Sequence, residues 1–523
     1  MPQLDRERAP LYEMLLEYSK HNNRTFHVPG HKNGQVYEKD PINRDPYDEM
    51  RWEHHKLREM MTLDVTEITG TDDLHHPEGV IQDAQMLAAD CFGAEETHFL
   101  VNGSTVGNIA LILTCCTEPG DVLIVQRNVH KSILHGLMLA GTRAVFVTPQ
   151  LDAHSGLPTA PSTEAIAEAL QRYPAAKGVL LCSPNYYGMG VDLRALVRVV
   201  HEHGLPLLVD EAHGAHYGLH PDLPESALQC GVDGVVQSTH KMLSSLTQSA
   251  MLHVQGPRID RAMLKQRLTM LQSSSPSYLL MGSLDVSRRW VHVQGEEAFR
   301  RGLEAVTWLR LKLKELHAFE VVSYAAESNE SKAAYTTLDP FKITVSDRTG
   351  SLTGYQLQEQ LESYGCIPEM SDLRHVVLVF TLGSTMEDAH ALYEAFEQIQ
   401  HMLIAGSGNA ESGNEIEEHI ASNFINITSN APVAAHISQP IGFDMKPMSA
   451  DDWEVVPLAD ACDRYIAEMV IPYPPGIPLL YPGEQITDEV LHILKQLADQ
   501  GAKCQGVQDA KLQTLRVLLK LMK

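Results

Sequence analysis

The sequence lacks a long apolar run, has few aromatic residues and carries little positive charge for its size. No stretch reaches the roughly 20 apolar residues that a bilayer-spanning helix needs, and the start, MPQLDRERAP, has no apolar centre of a secretory signal. Lys and Arg number 41 against 67 Asp and Glu, a net charge of −26, whereas nucleic-acid binding needs a basic face. We expect a cytoplasmic protein without a membrane or nucleic-acid partner.

Paired cysteine motifs are also lacking. None of the eight cysteines forms a C-x-x-C pair, and Cys115 and Cys116 are adjacent in an apolar helical stretch. This pattern favours buried reduced thiols over a zinc site or a disulfide framework. The 523 residues and 44% hydrophobic content are enough for two to four domains with a large core.

Short apolar runs alternate with helical patterns from about residue 95 to 255. Strands of four to six residues separated by helical crossovers indicate a mostly parallel sheet with helices on both faces, which is an α/β architecture. The runs predicted as strands are THFLV, DVLIV, AVFVTP, GVLLCSP, PLLVDEAHG and GVVQSTHK.

Longer amphipathic helices and isolated strands follow from about residue 290, and they predict a smaller α+β domain. Residues 406–432 are polar and rich in Gly, Ser and Asn, which is typical of a linker or a mobile loop. We predict five segments: an N-terminal arm (1–45), a large domain (46–295), a small α+β domain (296–405), the linker (406–432) and a C-terminal α+β domain (433–523).

Ligands of parallel sheets bind beyond the carboxyl ends of the strands, and unusual residues stand at four such ends. Gly103-Ser104-Thr105 begins a helix, which suits a phosphate but also suits an ordinary N-cap. Asp210 follows a buried strand, where an acid needs a cation or hydrogen-bond donors; it could keep a heteroaromatic nitrogen protonated or cap a helix. His213 and His216 could hold a metal beside two carboxylates, but Gly214 between them weakens that alternative.

Lys241 ends the third segment, Ser238-Thr239-His240-Lys241, and has apolar neighbours in sequence. In dry surroundings its pKa would fall and its amine could form an imine, although most lysines simply reach solvent. His130 follows a fourth strand, and a lone histidine is more often structural. Taken together, a phosphate cradle, a buried acid, a lysine and a flat ring meet the separate needs of pyridoxal 5′-phosphate (PLP). No metal is expected.

Longer motifs strengthen this interpretation, and they span nearly the whole chain: HVPGHKNG, DVTEITGTDDLHHPEGVI, FLVNGSTVGN, RNVHKS, VDEAHGAHYG, STHKMLSSLTQSAML, SSSPSYLLMGSLD and YPPGIPLLYPGE. In these motifs the chain resembles the fold-type-I PLP decarboxylases that act on ornithine, lysine and arginine. The resemblance implies an aspartate aminotransferase-like large domain and the shorter, biosynthetic arginine decarboxylase form, since only about 26 residues precede the first motif.

The resemblance also implies a role for each matching residue. Lys241 would form the imine with PLP, Asp210 would pair with the ring nitrogen, His130 would stack on the ring and His213 would lie near its hydroxyl. The segment 273–278 would approach the cofactor of a neighbouring subunit, so we expect a homodimer or a higher homo-oligomer. The phosphate would be bound by Gly103, Ser104, Thr105, Ser238 and His240.

The implied reaction is decarboxylation of a basic amino acid, with His240 or Lys241 returning a proton to the α-carbon. Arginine, giving agmatine, is preferred over lysine, giving cadaverine, and ornithine, giving putrescine. The alternatives are another fold-type-I reaction, by an aminotransferase or lyase, and a PLP-binding regulatory protein without activity. A cationic side chain calls for a carboxylate, and the candidates are Glu67, Asp72, Asp73 and Glu484, although Asp72 and Asp73 could instead cap a helix or pair with His75.

Overall fold

The fold is taken from a computed structural model, which describes residues 4–21, 24–37, 51–323, 334–406, 437–446, 448–472, 478–499 and 502–519. The α-helices in these ranges are α1 (Pro10–Lys20), α2 (Arg51–Met61), α3 (Val80–Phe92), α4 (Gly103–Cys115), α5 (Lys131–Ala140), α6 (Thr163–Arg172), α7 (Leu193–Glu202), α8 (Thr239–Met242), α9 (Arg261–Leu271), α10 (Tyr278–Gln294), α11 (Glu297–Leu313), α12 (Gly354–Ser363), α13 (Met386–Gly406) and α14 (Asp488–Asp499).

The strands are β1 (Glu96–Leu100), β2 (Val122–Gln126), β3 (Arg143–Val147), β4 (Ala176–Cys182), β5 (Met189–Gly190), β6 (Leu207–Asp210), β7 (Gly234–Gln237), β8 (Ala250–Val254), β9 (Phe319–Val321), β10 (Thr337–Leu338), β11 (Lys342–Asp347), β12 (Met370–Ser371), β13 (His375–Val379), β14 (Ile441–Gly442), β15 (Trp453–Pro457), β16 (Ile471–Pro472), β17 (Cys504–Gln505) and β18 (Thr514–Leu518).

The first of two compact units comprises residues 1–115 and 208–299. Its strands lie in the order β1-β8-β7-β6; β6 and β7 are parallel, and β8 is antiparallel to both β7 and β1. Helix α4 packs closely on this sheet because Gly107 has no side chain: a Cβ there would lie 2.8 Å from Leu100 and 2.9 Å from Val236. This close packing fixes the start of α4 relative to the ends of β6 and β7.

The second unit comprises residues 116–207 and 300–523. Strands β2, β3 and β4 are parallel in the order β4-β2-β3, and β14 adds an antiparallel edge. A separate antiparallel sheet has the order β12-β13-β11-β9. A third part, near the C-terminus, has its own apolar core, in which Ile466, Leu494 and Val517 are fully buried.

The predicted α/β architecture is confirmed, and every run predicted as a strand overlaps one. The antiparallel strand β8 was not among the runs predicted as strands. The five-segment domain division stays a prediction, and most of its linker, residues 407–432, lies outside the described residues. No helix of the described chain is long and apolar enough to cross a membrane. All eight cysteines are free, but only Cys116, Cys182 and Cys504 are buried, so the expectation of buried thiols is wrong for the other five.

Helix α1 is attached to α10 by an ion pair with no solvent exposure. Asp285 and Arg288 lie 2.6 Å apart at 0% side-chain exposure. Asp285 also accepts hydrogen bonds from the backbone N–H groups of Leu11 and Tyr12, and Arg288 donates to the carbonyl oxygen of Arg8. The two side chains therefore also form hydrogen bonds with backbone groups before and at the start of α1.

We expect Asp285→Ala to lower the free energy of unfolding by about 3–5 kcal/mol, because it leaves a buried guanidinium without its counter-ion. Urea denaturation measures this loss. The control is Lys20→Ala, which removes an exposed ion pair with Glu17 and should cost at most about 1 kcal/mol. A similar small loss in both variants would contradict the assignment of α1 to this buried anchor.

Candidate active site

Asp210 stands at the carboxyl end of β6 and is 3% exposed. Its Oδ2 accepts a hydrogen bond of 2.8 Å from Nδ2 of Asn108 in α4, and its Oδ1 accepts one of 3.1 Å from the N–H of Ala212. Two donors therefore hold the carboxylate in a fixed orientation. Asn108 was missed in the sequence, although it lies one helical turn after Ser104 on a buried face of α4.

Lys241 lies in the short helix α8, which directly follows β7. Its Nζ is 3.0 Å from Nε2 of His213, which stands in the turn after β6. Because an ammonium can only donate, Nε2 of His213 accepts and its ring proton belongs on Nδ1 when the imidazole is neutral. The structure thus brings two of the predicted residues into contact, from the ends of two adjacent parallel strands.

Residues that could hold a phosphate stand at the start of α4 and at the end of β7. Gly103 has φ +73°, a left-handed conformation that favours glycine. Ser104 and Thr105 occupy the first turn of a 13-residue helix, where backbone N–H groups are free to bind an anion. Ser238 Oγ is buried and has no hydrogen-bond partner among the residues that the structure describes. A buried hydroxyl without a partner is unfavourable and fits an absent acceptor, so these residues fit a PLP phosphate.

His240 and His130 are each oriented by a nearby group. His240 Nδ1 lies 2.9 Å from the carbonyl oxygen of Ser249, so it donates, and Nε2 is the basic nitrogen of the neutral ring. His130 lies in the second unit as the N-cap of α5, where its Nδ1 accepts from the N–H of Ser132. Its role as a ring-stacking residue stays a prediction.

The candidate substrate carboxylates have different partners. Asp72 accepts from four backbone N–H groups, which hold the pKa of its carboxyl below the usual value although burial opposes them. Asp73 accepts from the N–H of His75. Glu67 accepts one hydrogen bond of 3.3 Å, from Ser275 Oγ in the predicted interface segment.

Glu484 belongs to a contact between the C-terminal part of the second unit and the end of β2. Its Oε2 lies 2.7 Å from Nη2 of Arg127, and it also accepts from the N–H of Tyr481. The Arg127 guanidinium lies 5.1 Å from the centre of the Tyr481 ring, which stacks on Phe146 at 4.4 Å. We call Arg127, Tyr481 and Glu484 the β2 clamp. Nothing in the sequence indicated this contact, because Arg127 lies more than 350 positions before Tyr481 and Glu484.

No group of three or more His, Cys, Asp and Glu side chains that could hold a metal ion occurs among the residues the structure describes. The donor set at Asp210, His213 and Lys241 instead includes an amine, which suits an aldehyde cofactor better than a cation.

Known proteins resemble this chain along nearly its whole length. The Orn/Lys/Arg decarboxylase major domain matches residues 9–388, and the C-terminal domain of that family matches residues 444–511. An uncharacterized Bacillus subtilis protein, YaaO, is 38% identical over 98% of each chain. The arginine decarboxylase of B. subtilis is 34% identical over 98% of this chain and 99% of its own.

Solved structures show the same fold. Lysine decarboxylase A from Pseudomonas aeruginosa has a TM-score of 0.78 at 22% identity, over 97% of this chain and 80% of that one. The Francisella novicida lysine decarboxylase LdcF has a TM-score of 0.77 at 20% identity, over 98% and 81%. The predicted fold-type-I architecture is confirmed. The chain belongs to the Orn/Lys/Arg decarboxylase family, whose members are PLP-dependent amino-acid decarboxylases.

Proposed function

We propose that this protein binds PLP and decarboxylates arginine to agmatine. The observation that carries the proposal is the placement of Lys241 and Asp210 at the ends of the adjacent parallel strands β6 and β7, with His213 against the lysine amine. The names of relatives that are 33–34% identical support arginine as the substrate. Lysine is the second candidate and ornithine the third.

The residues divide the work by their chemistry. When bound, PLP draws electrons from the α-carbon of an amino acid, so that the carboxylate can leave as carbon dioxide. Asp210, fixed by Asn108, would keep the ring nitrogen protonated. Lys241 would attach the cofactor through its amine and be displaced by the substrate amine. Ser238 and the start of α4 would bind the phosphate.

Proton return to the α-carbon needs an acid next to the reacting centre. The amine of Lys241 could supply this proton, and His213 lies within hydrogen-bond distance of that amine. His240 is the other candidate, with Nε2 as its basic nitrogen. We propose one of these two groups, with His130 stacked on the ring.

Recognition of the substrate guanidinium is best assigned to Glu67 among the four candidate acids. The carboxylate of Asp72 is already engaged by backbone N–H groups, and that of Glu484 by Arg127. Glu67 has the weakest partner and lies beside the segment 273–278, which we propose contacts a second subunit. If this segment contacts a second subunit, the protein would be a homodimer whose subunits share their active sites. We also propose that it is cytoplasmic.

We expect Glu67→Gln to lower kcat/KM for arginine by about 10–100-fold, since a charge-assisted hydrogen bond is worth about 1.5–3 kcal/mol. The effect should appear mainly in KM. The control is Glu78→Gln, which removes an exposed carboxylate that pairs with His76. Equal kinetics in Glu67→Gln and Glu78→Gln would rule out Glu67 as the contact.

The decisive experiment offers arginine, lysine and ornithine separately to the PLP-loaded protein and identifies the products. We expect carbon dioxide and agmatine from arginine at the highest kcat/KM. Cadaverine as the main product would show that lysine is the substrate, and putrescine would show that ornithine is. A keto acid would indicate an aminotransferase, and PLP binding without any reaction would indicate a regulatory protein.

A further inference from the structure

Four buried polar side chains form a hydrogen-bonded chain across the first unit, and the proposed reaction does not use them. Glu211 Oε2 lies 2.8 Å from Nε2 of Gln237, Gln237 Oε1 lies 3.1 Å from Nε2 of His253, and His253 Nδ1 lies 2.8 Å from Oγ1 of Thr97. Each side chain belongs to a residue that is at most 2% exposed. We call these four residues the relay.

The strand register explains why these residues meet. His253 in β8 lies opposite Thr97 in β1 and opposite Val235 in β7. Gln237 is two positions beyond Val235, so the two side chains point to the same face of the sheet. Asp210 and Glu211 are consecutive and therefore point to opposite faces. The relay lies behind the sheet, one residue away from the carboxylate proposed to bind the cofactor.

Burial keeps most of the relay uncharged near neutral pH. It raises the pKa of Glu211 to about 8, although hydrogen bonds from Gln237 and the Ala227 N–H oppose it. It lowers the pKa of His253 to about 3, with a further lowering from the nearby His98. The titratable groups near Glu211 in sequence are Asp210, His213 and His216, and those near its hydrogen-bond donor Ala227 are Glu225 and Cys230.

The relay has two complete arrangements that differ by one proton. With Glu211 ionised, Gln237 donates to Glu211, His253 Nε2–H donates to the Gln237 oxygen, and Thr97 donates to His253. With Glu211 neutral, its O–H needs an acceptor, and half a turn of the Gln237 amide supplies the amide oxygen. Gln237 then donates to Nε2 of His253, and His253 Nδ1–H donates to Thr97. Every contact survives with its direction reversed.

We propose that the relay is a proton-dependent positioning device for the cofactor site, with Glu211 as the positioning residue and its neutral form as the state that binds PLP. The inference rests on the proposed function, because it assumes that Asp210 and Ser238 bind the cofactor. Ionised Glu211 would place a negative charge between the ends of β6 and β7. PLP carries an anionic phosphate, so this buried charge would oppose its binding in a medium of low dielectric constant.

The first test uses the cofactor-free protein and infrared spectroscopy. We expect the carbonyl stretch of a protonated carboxyl at about pH 6 that disappears by about pH 9.5, on either side of the raised pKa. The band should be absent in Glu211→Gln and unchanged in Asp152→Asn, which removes a buried carboxyl outside the relay. Gln237→Leu should move its midpoint to higher pH, since it removes a donor to the carboxylate. An unchanged midpoint in Gln237→Leu would overturn the relay.

The second test measures stability against pH in the same cofactor-free proteins. An acid whose pKa is raised on folding binds more protons in the folded state than in the unfolded state between the two pKa values. Wild type should therefore lose up to tenfold in its folding equilibrium constant per pH unit from about 4.5 to about 8, relative to Glu211→Gln, and no more above that. Parallel pH profiles of the two proteins would contradict a neutral buried Glu211.

The third test links the relay to the cofactor through PLP affinity. If only the neutral form binds, the Kd of wild type should rise by about fivefold between pH 8 and about pH 9, relative to that of Glu211→Gln. The same pH dependence of Kd in both proteins would refute the coupling. None of these measurements requires turnover, so a protein that decarboxylates nothing would end the proposed function while leaving the relay testable.

Discussion

Replacing Lys241 by alanine should abolish decarboxylation while leaving the fold intact. The side chain is only partly buried in the four-residue helix α8, so its removal creates no large cavity. The variant loses the amine that lies beside His213, just after the end of β7. We expect turnover to fall below detection, and the absorbance of lysine-bound PLP to disappear even where the cofactor remains loosely held.

Lys265→Ala is the matched control for this experiment. Lys265 belongs to the same unit but is 61% exposed and pairs with Glu96 on the surface. Its replacement should leave both turnover and the cofactor spectrum as in wild type. A Lys241→Ala protein that retains the spectrum of lysine-bound PLP would move the attachment site to another lysine.

The second large effect is expected from Asp210→Asn. The amide has nearly the shape of the carboxylate but no charge, so it cannot stabilise a protonated ring nitrogen. We expect kcat to fall by several orders of magnitude, each factor of ten corresponding to about 1.4 kcal/mol of barrier. Steady-state kinetics at saturating PLP measure the loss, which should be larger in kcat than in KM.

Asp233→Asn separates this electrostatic effect from the general cost of neutralising a buried acid. Asp233 is 1% exposed, precedes β7 at the end away from Ser238, and pairs with Arg258. Its replacement should lower stability while changing kcat by less than about tenfold. Near-normal kcat in Asp210→Asn would show that another group controls the ring nitrogen.

The strands that carry the site could be predicted from the sequence, because each is a short apolar run followed directly by polar residues. Asp210, Ser238 and Lys241 were all found at strand ends in this way. Strand β8 (Ala250–Val254) was not predicted, and its apolar sequence does not indicate its antiparallel direction. Whether a strand is parallel or antiparallel depends on the connection that precedes it and on the strands that pair with it, and the residues of the strand do not specify either.

Contacts between distant residues could not be predicted for a similar reason. Asn108 and Asp210 are 102 positions apart, and Thr97 and His253 are 156 apart. Each residue alone is an ordinary buried polar side chain, and only strand register and helix packing bring them together. The same limit applies to Asp72, for which the sequence left substrate binding and helix capping open, whereas the backbone N–H groups that surround it favour the second role.

The β2 clamp has a consequence for engineering. Arg127 stands three residues before His130, while Tyr481 and Glu484 come from the C-terminal part of the chain. Tyr481 also donates a hydrogen bond to the carbonyl oxygen of Arg127, so both the side chain and the backbone of Arg127 are bound by this C-terminal region. In a chimera that carries the C-terminal region of a related protein, the residues at positions 127, 481 and 484 must still be able to form these contacts. Shortening the chain before residue 480 would remove the contacts that hold the peptide before His130, so the conformation of this peptide is the first property to measure in such variants.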